Sequence, residues 1–174
     1  MARSGYMVTE TTFVPRSVCF SLQSDKDIEN GAIVGKGELI EGEMSVYNAL
    51  DDYSDGIYLV ANPAWSYDTS RMVNQNEENF INKAGIAFRA YRLEKDMKYK
   101  VYNLDLETPF AEGDHVKFED GKYVKDDGAT SPLVVERVEE VGFPFCVGSG
   151  GTLNGDYGYA VGEVMKKYII RVNA

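Results

Sequence analysis

Residues 113–125, GDHVKFEDGKYVK, contain the pattern that decides the fold class of this chain. Apolar and polar side chains alternate on both sides of Asp120-Gly121, and a period of two is typical of a half-buried β-strand. An Asp-Gly pair between two such runs favours the tight turn of a β-hairpin. The stretch therefore predicts two antiparallel strands joined by a short turn.

Strand patterns recur on both sides of this hairpin. Alternation marks residues 98–102 and 86–93, and Ile86, Phe88 and Ala90 are expected to share one face. Other runs predict strands at 32–34, 44–47, 57–61 and 168–172, and a short strand or turn at 38–42. Turn signals recur about every 8–12 residues, as in sandwiches and barrels. Because no helix-length amphipathic pattern is present, the sequence predicts an all-β or nearly all-β chain with a sandwich or barrel-like domain.

The predicted organisation is an extended N-terminal arm, residues 1–24, followed by a single β-rich domain at 25–174. Pro15 lacks a backbone N–H, so it fits an edge or a bend of the arm. Residues 62–79 are mostly polar and predict a long loop, and such loops usually bind something or pack on a neighbour. The sequence leaves open whether residues 50–85 form an inserted loop or a sub-lobe.

Composition limits the classes of function. The chain has 174 residues, with 18 Lys and Arg against 28 Asp and Glu, which gives a formal net charge of −10. Affinity for nucleic-acid phosphates comes mostly from Lys and Arg, so this charge argues against direct nucleic-acid binding. An apolar fraction of 44% favours a folded domain. We expect neither a secretory leader nor a membrane-spanning helix, because no apolar stretch has the required length.

The chain has only two cysteines and one histidine, residue types that commonly bind metals or take part in catalysis. Cys19, Cys146 and the single His115 lie too far apart in sequence to seed a zinc site. In a reducing cytoplasm the two cysteines are expected to be free thiols, although a disulfide stays open. Residues 148–153 lack the spacing of a nucleotide-binding loop, and residues 25–31 place glycine one position late for an EF-hand calcium loop. We therefore expect no catalytic, cofactor-binding or metal site, and no enzymatic activity.

The aromatic residues have two interpretations. Trp65 and Tyr67, together with other tyrosines, can build a face on which sugars stack. Tyrosine is also a good strand former and is enriched at protein interfaces, so we favour core plus protein interface over carbohydrate binding. The other tyrosines concerned are Tyr91, Tyr99, Tyr102, Tyr123, Tyr157 and Tyr159.

The order of several segments also carries a resemblance. The segments are DIENGAIV at 27–34, Gly37-Glu38 before a strand with Val46-Tyr47, GIAFRAYRLEKD at 85–96, EGDHV at 112–116 and EDGKY at 119–123. This order resembles small virion proteins of tailed bacteriophages, especially capsid decoration (head accessory) proteins. The resemblance implies a β-rich structural protein on the capsid exterior, made in the bacterial host cytoplasm, that stabilises contacts between major capsid subunits. It also implies self-association, with a trimer favoured, and no direct contact with nucleic acid or membrane.

Partner contacts are expected at two places. The arm can add a strand to the sheet edge of a neighbouring subunit, with Phe13, Val14 and Phe20 as apolar anchors. Trp65 and Tyr67 in the long loop are the second expected contact with the major capsid protein. Two alternatives remain, a phage tail tube or head–tail connector subunit and a carbohydrate-binding β-sandwich module.

Overall fold

The computed structural model describes residues 7–8, 19–63, 80–102, 109–142 and 164–173. The regular secondary structure in these ranges consists of β-strands, which confirms the all-β prediction. No helix in this part of the chain has the length and apolarity that membrane crossing requires. In chain order the strands are β1 (Met7–Val8), β2 (Cys19–Gln23), β3 (Ile28–Glu29), β4 (Ile33–Leu39), β5 (Val46–Leu50), β6 (Ile57–Val60), β7 (Ile81–Asn82), β8 (Phe88–Leu93), β9 (Lys98–Tyr102), β10 (His115–Glu119), β11 (Lys122–Lys125), β12 (Leu133–Gly142) and β13 (Val164–Val172).

Five strands close into a small barrel in the order β2-β5-β4-β6-β8. Neighbouring strands are antiparallel except β2 and β5, which run parallel, and β8 closes the ring by pairing with β2. Because side chains alternate along a strand, one set from each strand packs into a common apolar core. Its buried members are Leu22, Ala32, Val34, Tyr58, Val60, Phe88 and Ala90.

A six-stranded antiparallel sheet has the order β1-β9-β13-β12-β10-β11. At its far end β10 and β11 form the predicted hairpin, with Glu119 paired to Lys122 across the turn. Asp120 and Gly121 have φ angles of 50° and 77°. Positive φ at both central residues defines a type I′ turn, whose twist matches that of the flanking strands.

One wall of the barrel packs against this sheet. The side chains of β4, β6 and β8 that face away from the barrel interior join side chains of the sheet in a second, larger apolar core. The barrel contributes Ile33, Ile57, Leu59 and Leu93, and the sheet contributes Tyr99, Val101, Val116, Tyr123, Leu133, Val135, Tyr168, Ile170 and Val172. Barrel and sheet are therefore held together by a shared core.

A chain of buried hydroxyl groups reinforces this junction. The Tyr123 hydroxyl donates a hydrogen bond of 2.6 Å to the Gly31 carbonyl oxygen beside the barrel. The Tyr99 hydroxyl lies 3.1 Å from the Tyr123 oxygen, and it must be the donor because the Tyr123 proton is already used. Burial raises the pKa of Tyr99 well above its ordinary value, so its hydroxyl keeps the proton that it donates.

The structure moves the boundary of the predicted arm, which was placed at residues 1–24. Residues 19–23 form β2, because alternation along them directs the fully buried Leu22 into the barrel core. Upstream, β1 pairs with β9 at the edge of the chain's own sheet. The other residues before 19 lie outside the described residues, as do 64–79 of the predicted long loop. Within the possible insertion at 50–85, β6 is an integral strand of the barrel.

Ile86 does not share the inward face of Phe88 and Ala90. Strand pairing of β8 with β2 starts at Phe88, opposite Leu22. Ile86 belongs to the preceding turn, in which its N–H donates to the Lys83 carbonyl. Its side chain is consequently 61% exposed, whereas Phe88 and Ala90 are buried.

Candidate interaction surface

Of the predicted partner contacts, the structure describes Phe20, while Phe13, Val14, Trp65 and Tyr67 lie outside the described residues. The Phe20 ring packs edge-to-face on Tyr47 and Tyr58, with centroid distances of 6.5 and 5.6 Å. It is partly buried against the barrel core. The ring is thus engaged within its own chain, and its role in partner binding stays a prediction.

Lys36 completes this aromatic cluster. Its ammonium nitrogen lies 3.8 Å from the ring centroid of Tyr47 and 5.2 Å from that of Phe20. The quadrupole of an aromatic ring attracts a cation at such distances, typically by about 0.5–1 kcal/mol at exposed sites. Lys36 is therefore directed towards the rings. In the sequence it is the last positively charged residue before the turn between β4 and β5.

The hairpin between β4 and β5 ends in a well-defined turn. We call residues 38–45 the finger. The Glu43 N–H donates to the Ile40 carbonyl at 3.0 Å, and the Ile40 N–H donates to the Val46 carbonyl at 2.9 Å. Gly42 has a φ of 86°, as the third residue of a type II turn requires, and this conformation favours glycine. The backbone of the finger is therefore fixed by its own hydrogen bonds.

The finger presents two large apolar side chains to solvent. Met44 is 95% exposed and Leu39 is 47% exposed. Isolated exposed apolar residues are common on protein surfaces, but these two flank one turn, residues 40–43, and Met44 makes almost no contact with its own chain. Burying a methionine side chain in an interface is worth about 1.5–3 kcal/mol. Within the described residues, the finger is the strongest candidate for contact with another macromolecule.

A cleft of about 500 Å³ lies where the barrel meets the β10–β11 turn. Ile28, Ile33 and Phe118 give it an apolar lining. Lys26 and Asp51 also line it and form an ion pair of 2.7 Å. The hydrogen bond that the Lys26 ammonium group donates to Asp51 is the main cause that raises the pKa of Lys26. Both side chains are largely exposed, so the pair adds little to stability.

Asp27 lies in the stretch 25–31, whose sequence was compared with an EF-hand calcium loop, and it joins two loops of the fold. Its carboxylate accepts hydrogen bonds from the Lys83 ammonium at 2.7 Å and from the Ala84 N–H at 3.0 Å. These two bonds, the Lys83 bond first, lower the pKa of Asp27. Among the described residues, no three His, Cys, Asp or Glu side chains are arranged to hold a metal ion. Asp27 therefore has a structural task in this fold.

His115 and its neighbour Asp114 point to different partners. The His115 Nδ1 atom lies 2.8 Å from the Ser131 carbonyl oxygen. The Asp114 carboxylate instead pairs with Lys125 at 2.8 Å and accepts the Ala111 N–H at 2.8 Å. These contacts, the Lys125 bond foremost, lower the pKa of Asp114. Both residues thus hold β10 to its neighbouring segments.

The two cysteines are placed differently. Cys19 lies on β2 and is partly buried. Cys146 lies outside the described residues. Because Cys146 is the other cysteine of the sequence, the free state of both thiols stays a prediction.

No protein-family model matches the chain, and neither a curated protein nor a solved structure matches it. Function is therefore inferred from the residues of the finger, from the charge of the chain and from the sequence resemblance.

Sequence patterns did not indicate the finger as a contact surface. The residues around it predict a turn or short strand at 38–42 and a half-buried strand at 44–47, so Met44 is expected to lie in that strand. The strand instead begins at Val46, and Met44 lies between the turn and the strand. The available signal was Gly42 between two glutamates, since a glycine in a polar setting often marks a turn.

Proposed function

We propose that the chain is a structural virion protein of the phage head-decoration type, which binds the outer capsid surface and stabilises contacts between major capsid subunits. The observation that carries the proposal is the finger, in which a hydrogen-bonded turn is flanked by Leu39, 47% exposed, and Met44, 95% exposed. A partner that covers these side chains gains the free energy of burying apolar surface. The sequence resemblance is what suggests a capsid as that partner.

The barrel supports the proposal as a rigid base for the finger. Each of its five strands pairs on both sides, so no barrel strand has a free edge. β4 and β5 pair at Gly35 and Lys36, shift register before Leu39, and pair again at Leu39 and Tyr47, next to the turn. A contact element that is already ordered loses little conformational entropy on binding.

The charge of the chain supports an exterior position. A net charge of −10 is unfavourable beside the phosphates of packaged nucleic acid. Binding to the major capsid protein and self-association, with a trimer favoured by the resemblance, belong to the same proposal.

Capsid binding can be tested directly with the full chain. Light scattering gives the mass of the purified protein in solution, and sedimentation after mixing with empty capsids of the phage that encodes it measures binding. We expect co-sedimentation that saturates at a stoichiometry set by the capsid symmetry.

Other outcomes would replace the proposal. Self-assembly into rings or tubes without capsid binding would favour a tail tube or head–tail connector subunit. A monomer that binds no capsid but changes its Trp65 fluorescence on addition of glycans would favour a carbohydrate-binding module.

A further inference from the structure

The finger combines its apolar side chains with an unusual local charge. Glu38, Glu41 and Glu43 lie within six residues of one another. All three are exposed. From residue 37 to residue 50 the sequence contains neither Lys nor Arg. The end of the hairpin is thus both apolar and negatively charged.

These glutamates are not neutralised by their surroundings. Among the described residues, none of the three takes part in an ion pair, whereas Asp27, Asp51 and other carboxylates do. The adjacent cation, Lys36, directs its ammonium group to the rings of Tyr47 and Phe20. A partner that supplies positive charge would therefore meet carboxylates that have no competing counter-ion among the residues that the structure describes.

The turn also limits what kind of partner fits. Its backbone is held by the Glu43–Ile40 and Ile40–Val46 hydrogen bonds, so the finger enters a binding site as a preformed, convex element. A convex element that projects a flexible, almost fully exposed methionine is complementary to a concave apolar surface. The flanking glutamates require positive charge at the border of that surface.

We propose that the finger docks, with Met44 as its central anchor, into an apolar groove of the major capsid protein that is bordered by Lys or Arg side chains. This inference rests on the proposed function, because it specifies the surface by which the chain would hold the capsid.

The apolar half of the proposal is tested by replacing Met44 in the full chain. Met44→Ser is expected to weaken binding to empty capsids about 10- to 100-fold, the equivalent of one buried methionine. Met44→Leu is expected to bind within about threefold of wild type, because volume and apolarity are kept. Since Met44 is 95% exposed, neither change should alter thermal unfolding. Ile86→Ser is the matched control, since Ile86 is a 61% exposed apolar residue outside the finger.

The charged half is tested by changing the three glutamates together. The variant Glu38→Gln, Glu41→Gln, Glu43→Gln is expected to bind capsids more weakly at low salt and to lose most of the salt dependence of binding. The control variant removes three negative charges from exposed carboxylates outside the finger. Its substitutions are Asp55→Asn, Glu94→Gln and Asp127→Asn. It is expected to keep both the affinity and the salt dependence of wild type.

The outcomes separate the two levels of the proposal. If wild-type protein does not sediment with capsids, the proposed function is wrong and the docking inference falls with it. If wild type binds and Met44→Ser binds equally well, the docking inference alone is wrong. If the two triple variants weaken binding equally, the attraction is a property of the whole acidic surface, and the basic border of the groove is refuted.

Discussion

Replacing Tyr123 with Phe removes one oxygen atom from the junction of barrel and sheet, and we expect it to lower the free energy of unfolding by about 2–4 kcal/mol. The Tyr123 hydroxyl is the donor to the Gly31 carbonyl at 2.6 Å and the acceptor for Tyr99 at 3.1 Å. The phenylalanine ring can still occupy the same place, edge-to-face on Phe118 at 5.1 Å. The predicted loss is therefore one of hydrogen bonding and not of packing.

The magnitude follows from the groups left behind. Without the hydroxyl, the Gly31 carbonyl and the Tyr99 hydroxyl are both left in a buried site. An unsatisfied buried polar group costs about 1–3 kcal/mol, and local relaxation recovers part of the sum. Tyr99→Phe is different, because Tyr123 keeps its bond to Gly31 and only one hydrogen bond disappears. That change is expected to cost about 0.5–1.5 kcal/mol.

A double-mutant cycle makes this reasoning testable. Equilibrium unfolding in urea gives the free energy of unfolding for wild type, both single variants and the double variant. In the Tyr99→Phe background, Tyr123→Phe leaves only the Gly31 carbonyl unsatisfied, so it is expected to cost about 1 kcal/mol less than in wild type. Two results would refute the hydroxyl chain: a Tyr123→Phe cost no larger than that of Tyr99→Phe, or costs that simply add in the double variant.

Three further predictions concern the backbone, the pH dependence and the N-terminal segment. Gly35→Ala is expected to lower the free energy of unfolding by about 3 kcal/mol or more, because the alanine Cβ would lie 1.9 Å from the Asp52 carbonyl oxygen. Thermal unfolding measures this effect, and an unchanged unfolding midpoint would contradict the prediction. Hydrogen bonds, first that from the Ser131 N–H, lower the pKa of Asp126 from its ordinary 3.8. A lowered folded-state pKa adds stability above the unfolded-state pKa, and this stability is lost as the pH falls through the folded-state value. Asp126→Asn should therefore lower the unfolding midpoint at pH 7 but leave it unchanged at a pH below the folded-state pKa of Asp126. An equal decrease of the midpoint at both pH values would show that the charge of the carboxylate does not stabilise the fold. Deletion of residues 1–18 is expected to leave a folded barrel that binds capsids more weakly, and full binding by the truncated protein would exclude the arm as a contact.

The features that sequence patterns predicted correctly are local ones. The β10–β11 hairpin and its Asp120-Gly121 turn depend on neighbouring residues alone, as does the strand at Lys98–Tyr102. Turn chemistry and alternation act over a few residues, so a single sequence displays them. The same holds for the buried run of β6, in which four consecutive residues are buried.

The closure of the barrel could not be predicted in this way. It depends on the parallel pairing of β2 with β5 and on the pairing of β2 with β8, whose partner residues lie 66–72 positions further along the chain. Nothing local in residues 19–23 distinguishes a barrel strand from the end of an extended arm. The two cores also share strands, since Ile33 and Val34 are neighbours in sequence but pack into different interiors.

Barrel closure also changes how this chain can bind a partner. Strand addition needs a free sheet edge, and the five barrel strands offer none. In the six-stranded sheet one edge strand is β11, which places Lys122 and Lys125 in exposed positions, and lysines on an edge oppose pairing with another chain. Binding through side chains is then the more available route for the described part of the fold. The finger carries Met44, which is more exposed than the other large apolar side chains of the described residues. Substitutions at Met44 should therefore affect capsid binding more than any change to the β11 edge.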